Sequence, residues 1–152
     1  VDCLLQRGAR KVFAVDTSYG TLAWRLRRDP RVVVLERTNA LHVTLPEAAE
    51  LVTIDVGWTR QINVMPNVAK LMHDEGRVVS LIKPHYEASP DWLWGGVLPD
   101  DRVDEVVAAV LEELASIGWV AIDHVASALR GRAGNREFFA LFAGPAGVTD
   151  RS

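Results

Sequence analysis

The sequence predicts an α/β fold, a doubly wound sheet, on three observations. Short apolar, β-branched runs recur along the chain, at 11–16, 31–35, 49–56, 78–82, 119–125 and 137–142. They are continuous rather than alternating, as in strands buried on both faces of a largely parallel sheet. Helical segments fall between most of them, and strand–helix alternation is what a doubly wound sheet requires.

Each element has a local reason. Residues 2–8 read as a helix closed by Gly8, because glycine accepts the left-handed backbone of a helix end. Strand 11–16 is apolar at Val12, Phe13, Ala14 and Val15. Helix 22–28 is stopped by Pro30, which disfavours helix at the residue before it. Consecutive valines make 31–35 a strand. Strand 49–56 and helix 63–73 follow, and Gly76 breaks the chain before strand 78–82. In helix 102–117, Val103, Val106, Val107, Val110, Leu111, Leu114 and Ile117 share one stripe, leaving Glu105, Glu112 and Glu113 to water. Asp100 or Asp101 caps its start and Gly118 its end. Strands 119–125 and 137–142 are separated by an exposed turn at 130–135.

The 152 residues suit one domain with a real core. With 49% hydrophobic and 24% charged residues, the composition is that of a folded protein. No apolar run is long enough to span a membrane and no secretory pattern is present, so the expected location is the cytoplasm. The lone Cys3, beside Leu4 and Leu5, reads as a buried structural thiol. A net charge of −3 argues against nucleic-acid binding by bulk electrostatics, though not against a local basic rim. The chain opens on Val1 inside a helix, which points to a fragment of a longer protein.

Ligands of such sheets bind beyond the carboxyl ends of the strands. Asp55, Lys83 and Glu137 each stand at the end or edge of a predicted strand and are expected to meet on one rim. Asp16 ends the first strand, where it either accepts hydrogen bonds from ribose hydroxyls or caps the helix that follows. Asn39 lies just past the second strand and reads locally as a turn residue. His85 has no second histidine at ligand spacing, so no metal is expected. A nicotinamide dehydrogenase is disfavoured, since no G-x-G-x-x-G follows a strand.

The segments 2–9, Val15-Asp16, Tyr19-Gly20, Leu22-Ala23-Trp24, Arg31-Val32, Glu36-Arg37-Thr38-Asn39, 51–56, 82–87, Gly95-Gly96-Val97 and Gly134-Asn135-Arg136-Glu137-Phe138 carry a resemblance. In order and spacing the chain resembles the hemolysin A (TlyA-like) group of FtsJ-type ribosomal RNA 2′-O-methyltransferases. The resemblance implies a Rossmann-like sheet with helices on both faces, S-adenosylmethionine as cofactor and ribosomal RNA or a ribosomal subunit as partner. It assigns Asp16 to the cofactor ribose, Asn39 to the adenine, and Asp55, Lys83 and Glu137 to a lysine-aspartate-lysine-glutamate tetrad, Asp55 also lying at the cofactor. A lysine amine activates a hydroxyl if desolvation lowers its pKa; flanking carboxylates oppose that and orient it instead.

The departures are as informative. The family's glycine-rich cofactor loop, first tetrad lysine and first strand are absent, as is an S4-like RNA-binding module. The strands bearing Asp16 and Asp55 are therefore expected to have open edges, completed by missing sequence or by strand exchange. Gly57, Trp58, Thr59 and Arg60 stand where relatives tend to have serine and phenylalanine, and His85-Tyr86 replaces glutamine-phenylalanine. Trp92 and Trp94 are either a base-stacking surface or loop anchors. Arg130, Arg132 and Arg136 border Glu137 and are the candidates for RNA phosphates; Arg25, Arg27, Arg28 and Arg31 read as a solvated helix face. Two alternatives stand beside methyl transfer: a non-catalytic cofactor- or RNA-binding relic, and a membrane-active protein. The acidic polar face of helix 102–117 has the wrong sign for anionic lipid.

Overall fold

The computed structural model describes residues 1–145, which form two compact units divided between Pro46 and Glu47. In the first, helix α1 (Asp2–Gln6) precedes strand β1 (Val12–Val15), the single-turn helix α2 (Trp24–Arg27) and strand β2 (Val32–Leu35). The strands pair in parallel, Val12 with Val32 through Val15 with Leu35. Gly8, at φ 92°, closes α1 as its sequence position predicts. Cys3 is exposed rather than buried, because the short helix turns Leu5, not Cys3, inward. Helix α2 is shorter than expected: no side chain caps its start, and Pro30 ends its extension.

The second unit holds β3 (Ala49–Ile54), α3 (Gln61–Leu71), β4 (Met72–Ile82), α4 (Pro84–Glu87), α5 (Asp100–Ser116), β5 (Ala121–Ala126) and β6 (Phe138–Ala143). Its sheet runs β3-β4-β6-β5, with β3 and β4 parallel and β6 antiparallel to both its neighbours. The expected break at Gly76 is instead a bulge inside β4: Ala49 pairs with Met72 but Leu51 with Arg77. A side chain at Gly76 would come within 2.8 Å of the His73 carbonyl.

One face of this sheet is a regular apolar ladder. Val78, Ser80 and Ile82 pair with Phe142, Ala140 and Phe138, and all six are buried. Val64, Met65 and Val68 of α3 and Val103, Val106, Val107, Val110 and Leu114 of α5 are buried as well. The opposite face is more open than continuous apolar runs suggest, with Leu51 and Phe139 exposed. Pro99, not Asp100 or Asp101, precedes α5, and the two aspartates occupy its first turn. Ile117 lies past the last turn and is exposed, while Gly118, at φ 89°, ends the helix.

Candidate active site

Strand β4 runs on past the end of parallel β3, and antiparallel β6 starts where β4 ends. Ile54 is in register with Ser80 and Ile82 with Phe138, so Lys83 and Glu137 occupy the next station on β4 and β6, while Asp55 follows the end of β3 two stations earlier. Lys83 Nζ lies 2.6 Å from Asp55 Oδ1; the lysine side chain is 18% exposed and the aspartate 70%. Glu137 is held differently. Its carbonyl accepts a 2.8 Å bond from Ser127 N, and its carboxyl lies where a side chain at Gly131 would have to go. Among the described residues no ion pair joins it to Lys83.

Behind the rim stands a buried polar support. Glu87 Oε1 accepts from Gln61 N at 2.8 Å, and Arg60 Nε lies 3.3 Å from its Oε2. Arg60 also reaches Glu113 at 2.8 Å. Gln61 Oε1 accepts from Ser80 Oγ at 2.6 Å, tying the start of α3 to β4. Burial pushes the Glu87 carboxyl above its ordinary pKa, against the opposing hydrogen bonds from Gln61 and Arg60. No pattern of period or spacing announces this network, because its members are polar residues scattered over the start of α3, β4, α4 and α5.

Beside Lys83, the rings of Trp58, Tyr86 and His85 form a cluster tilted against one another. Trp58 and Tyr86 centroids are 5.0 Å apart, Tyr86 and His85 4.1 Å, and Lys83 Nζ lies 5.9 Å from the Tyr86 centroid. Trp58 is 88% exposed, on a left-handed backbone at φ 60°. His85 Nδ1 is buried with no hydrogen-bond partner among the described residues, and burial, then the nearby Lys83, lowers its pKa.

Asp16 and Asn39 follow the carboxyl ends of β1 and β2 in the first unit. Asp16 Oδ1 accepts from Ser18 N at 2.8 Å and Ser18 Oγ at 2.6 Å, which hold its carboxyl below the usual range. It does not cap α2, which begins at Trp24. Among the described residues its Oδ2 has only a 3.5 Å contact to Thr21 Oγ1, and it retains acceptor capacity towards water. Asn39 accepts from Leu41 N at 2.9 Å through its side chain and forms a turn.

The late turn is less exposed than expected. Asn135 is buried, accepts from Leu98 N at 3.0 Å and donates to Gly96 O at 3.1 Å, pinning the Trp94–Val97 hairpin. Arg130 is bidentate to Asp100, and Arg136 lies 3.6 Å from Asp104. The Arg132 side chain lies outside the described residues. Trp92 stacks under Arg102 at 5.0 Å, as an anchored loop ring would, whereas Trp94 is exposed.

Residues 1–143 match the family described as FtsJ-like methyltransferase. The chain belongs to that family. It is 40% identical over 144 residues to the 16S/23S rRNA (cytidine-2'-O)-methyltransferase TlyA of Mycobacterium tuberculosis, covering 91% of this chain and 53% of that protein. It is 31% identical to Hemolysin A of Brachyspira hyodysenteriae, covering 93% and 61%. The chain thus spans about half the length of the curated relatives it matches first. Among solved structures, a protein described as a hemolysin from Streptococcus thermophilus superposes with a TM-score of 0.90 at 29% identity, over 95% of this chain and 55% of that one. The S-adenosylhomocysteine-bound 1,6-didemethyltoxoflavin-N1-methyltransferase of Burkholderia thailandensis, at 13% identity and a TM-score of 0.66 over 94% and 64%, shows the same Rossmann-like methyltransferase fold. Among the described residues, no helix is long and apolar enough to cross a membrane.

Proposed function

We propose that residues 1–152 belong to one methyltransferase domain of a protein that, at full length, moves a methyl group from S-adenosylmethionine to a ribose 2′-hydroxyl of ribosomal RNA in the cytoplasm. The carrying observation is the 2.6 Å contact between Lys83 and Asp55 at a rim where Glu137 holds the adjoining station. The rRNA (cytidine-2'-O)-methyltransferase activity for which the Mycobacterium tuberculosis relative is named supports the same substrate.

The cofactor supplies an electrophilic methyl on a sulfonium. A ribose hydroxyl attacks poorly until its proton is accepted or polarised. Lys83, largely buried and fixed by Asp55, orients that hydroxyl by a charge-assisted hydrogen bond. The Asp55 and Glu137 carboxylates are the acceptors towards which its proton is drawn. Asp16 receives the ribose hydroxyls of the cofactor, and Asn39 lies towards its adenine. Arg130, Arg132 and Arg136 meet RNA phosphates, Arg130 and Arg136 by exchanging ion pairs that are individually weak.

The test is transfer of labelled methyl from S-adenosylmethionine to ribosomal RNA by the intact protein, read as phosphodiester bonds resistant to alkali. Lys83→Ala lowers the rate by about 10²–10⁴-fold with cofactor affinity retained. Unchanged transfer removes Lys83 from the site, and an alkali-labile product removes the ribose as acceptor.

A further inference from the structure

Between β1 and β2, Tyr19 and Trp24 are each 69% exposed. A hollow opens between them, lined by Tyr19, Gly20, Leu22, Trp24 and Arg27. Each ring carries a guanidinium: Arg37 lies 4.5 Å from the Tyr19 centroid and Arg28 5.7 Å from that of Trp24. Arg25, Arg27 and Arg31 are held by Asp2, Glu36 and Asp29. Among the described residues Arg28 and Arg37 are in no ion pair. The helix face that reads as merely solvated therefore contains two kinds of arginine.

The loop is arranged before any ligand arrives. Ser18 is bound to Asp16, Gly20 N donates to Glu36 Oε1 at 2.9 Å, and Arg37 N donates to Ser18 O at 3.1 Å. Arg37 has a left-handed backbone, φ 52°, uncommon outside glycine. That turn brings its guanidinium over Tyr19. Two exposed rings flanking a hollow, each with a guanidinium over it that is in no ion pair among the described residues, match the chemistry of single-stranded nucleic acid, where bases stack on rings and phosphates meet arginine.

The geometry points to the Tyr19–Trp24 hollow as a binding site for an unpaired base of an RNA strand, whose phosphates are met by Arg28 and Arg37. A base inside a duplex is stacked on both faces and does not enter. A cofactor pocket encloses most of its ligand, whereas both walls of this hollow are largely in water. That the strand is RNA, and ribosomal, rests on the function proposed above; that it is single-stranded nucleic acid bound by stacking does not.

The test measures binding of a fluorescent single-stranded oligoribonucleotide of mixed sequence to the intact protein by anisotropy, with calorimetry of S-adenosylmethionine in parallel. Tyr19→Ala/Trp24→Ala lowers RNA affinity about tenfold or more, and Tyr19→Phe retains it. Arg28→Gln/Arg37→Asn, the asparagine keeping the left-handed backbone accessible, reduces the salt dependence by about two phosphate contacts. Cofactor affinity stays at the wild-type value in every variant. No RNA affinity in the wild type, unchanged RNA affinity in the ring variant, equal affinity for duplex RNA, or a parallel loss of cofactor binding each overturns the site. Ring-dependent RNA affinity in a protein that transfers no methyl group leaves the site standing and removes the methyltransferase reading.

Discussion

Two strand-end aspartates are held in opposite ways. Asp16 closes on its own loop, with Ser18 and Thr21 as partners, and is exposed. Asp55 reaches to the next strand and holds Lys83, and behind that strand end lies a support of Glu87, Gln61 and Ser80. The first arrangement suits an acceptor that waits for a ligand in water. The second suits a group whose position must be fixed to a fraction of an ångström. Local hydrogen bonding builds an adaptable site, and cross-strand and buried bonding builds a rigid one.

Neutralising each aspartate is the sharpest way to break the comparison. Asp55→Asn leaves Lys83, a mostly buried cation, without its counter-charge. It lowers single-turnover methyl transfer by about 10²–10³-fold, within the usual contribution of a positioned acid–base group. Asp16→Asn acts on affinity instead. Losing one ionised acceptor weakens S-adenosylmethionine by about tenfold in calorimetry, worth about 1.4 kcal/mol, and leaves the rate at saturating cofactor near wild type. Equal effects on rate from the two substitutions would erase the distinction.

The support behind Lys83 is tested by stability and pH. Glu87→Ala removes the acceptor of Gln61 N and the partner of Arg60, and lowers unfolding free energy by about 2–3 kcal/mol in urea. Glu87→Gln isolates the charge. The folded carboxyl has its pKa raised by burial above the ordinary 4.5, so the folded state binds the proton more tightly than the unfolded. That contribution is fully present below the unfolded pKa and is lost as pH rises through the folded one. The wild type's advantage over Glu87→Gln is therefore largest in acid and shrinks towards neutrality. A constant difference across pH would mean that the carboxylate is not desolvated.

What was legible in the sequence followed a period or a register. The α5 stripe was readable from Val103 to Leu114 because burial repeats there at helical spacing. Asp55 and Lys83 could be placed because each follows a short apolar, β-branched run. Bonds between distant single residues left no such trace. Asn135 looked like part of an exposed turn, yet it is buried by bonds to Leu98 and Gly96. Trp58 and Tyr86 were separate departures until folding brought them together. The bulge at Gly76 was read as a break, since a glycine marks either.

The smallest effect tests whether the late turn belongs with the rigid or the adaptable site. Arg130 is bidentate to Asp100, but both side chains are more than half exposed, so the pair is screened and contributes little to stability. Arg130→Gln shifts unfolding free energy by less than about 0.5 kcal/mol. In RNA binding the same substitution removes about one phosphate contact and reduces the slope of log affinity against log salt by about 0.7–0.9. A slope change with little change in stability places Arg130 with Asp16, as a group whose resting partner is exchanged for ligand. A loss of stability with the slope unchanged makes it a fastener of α5, and leaves the Glu137 end of the rim without a phosphate contact from Arg130.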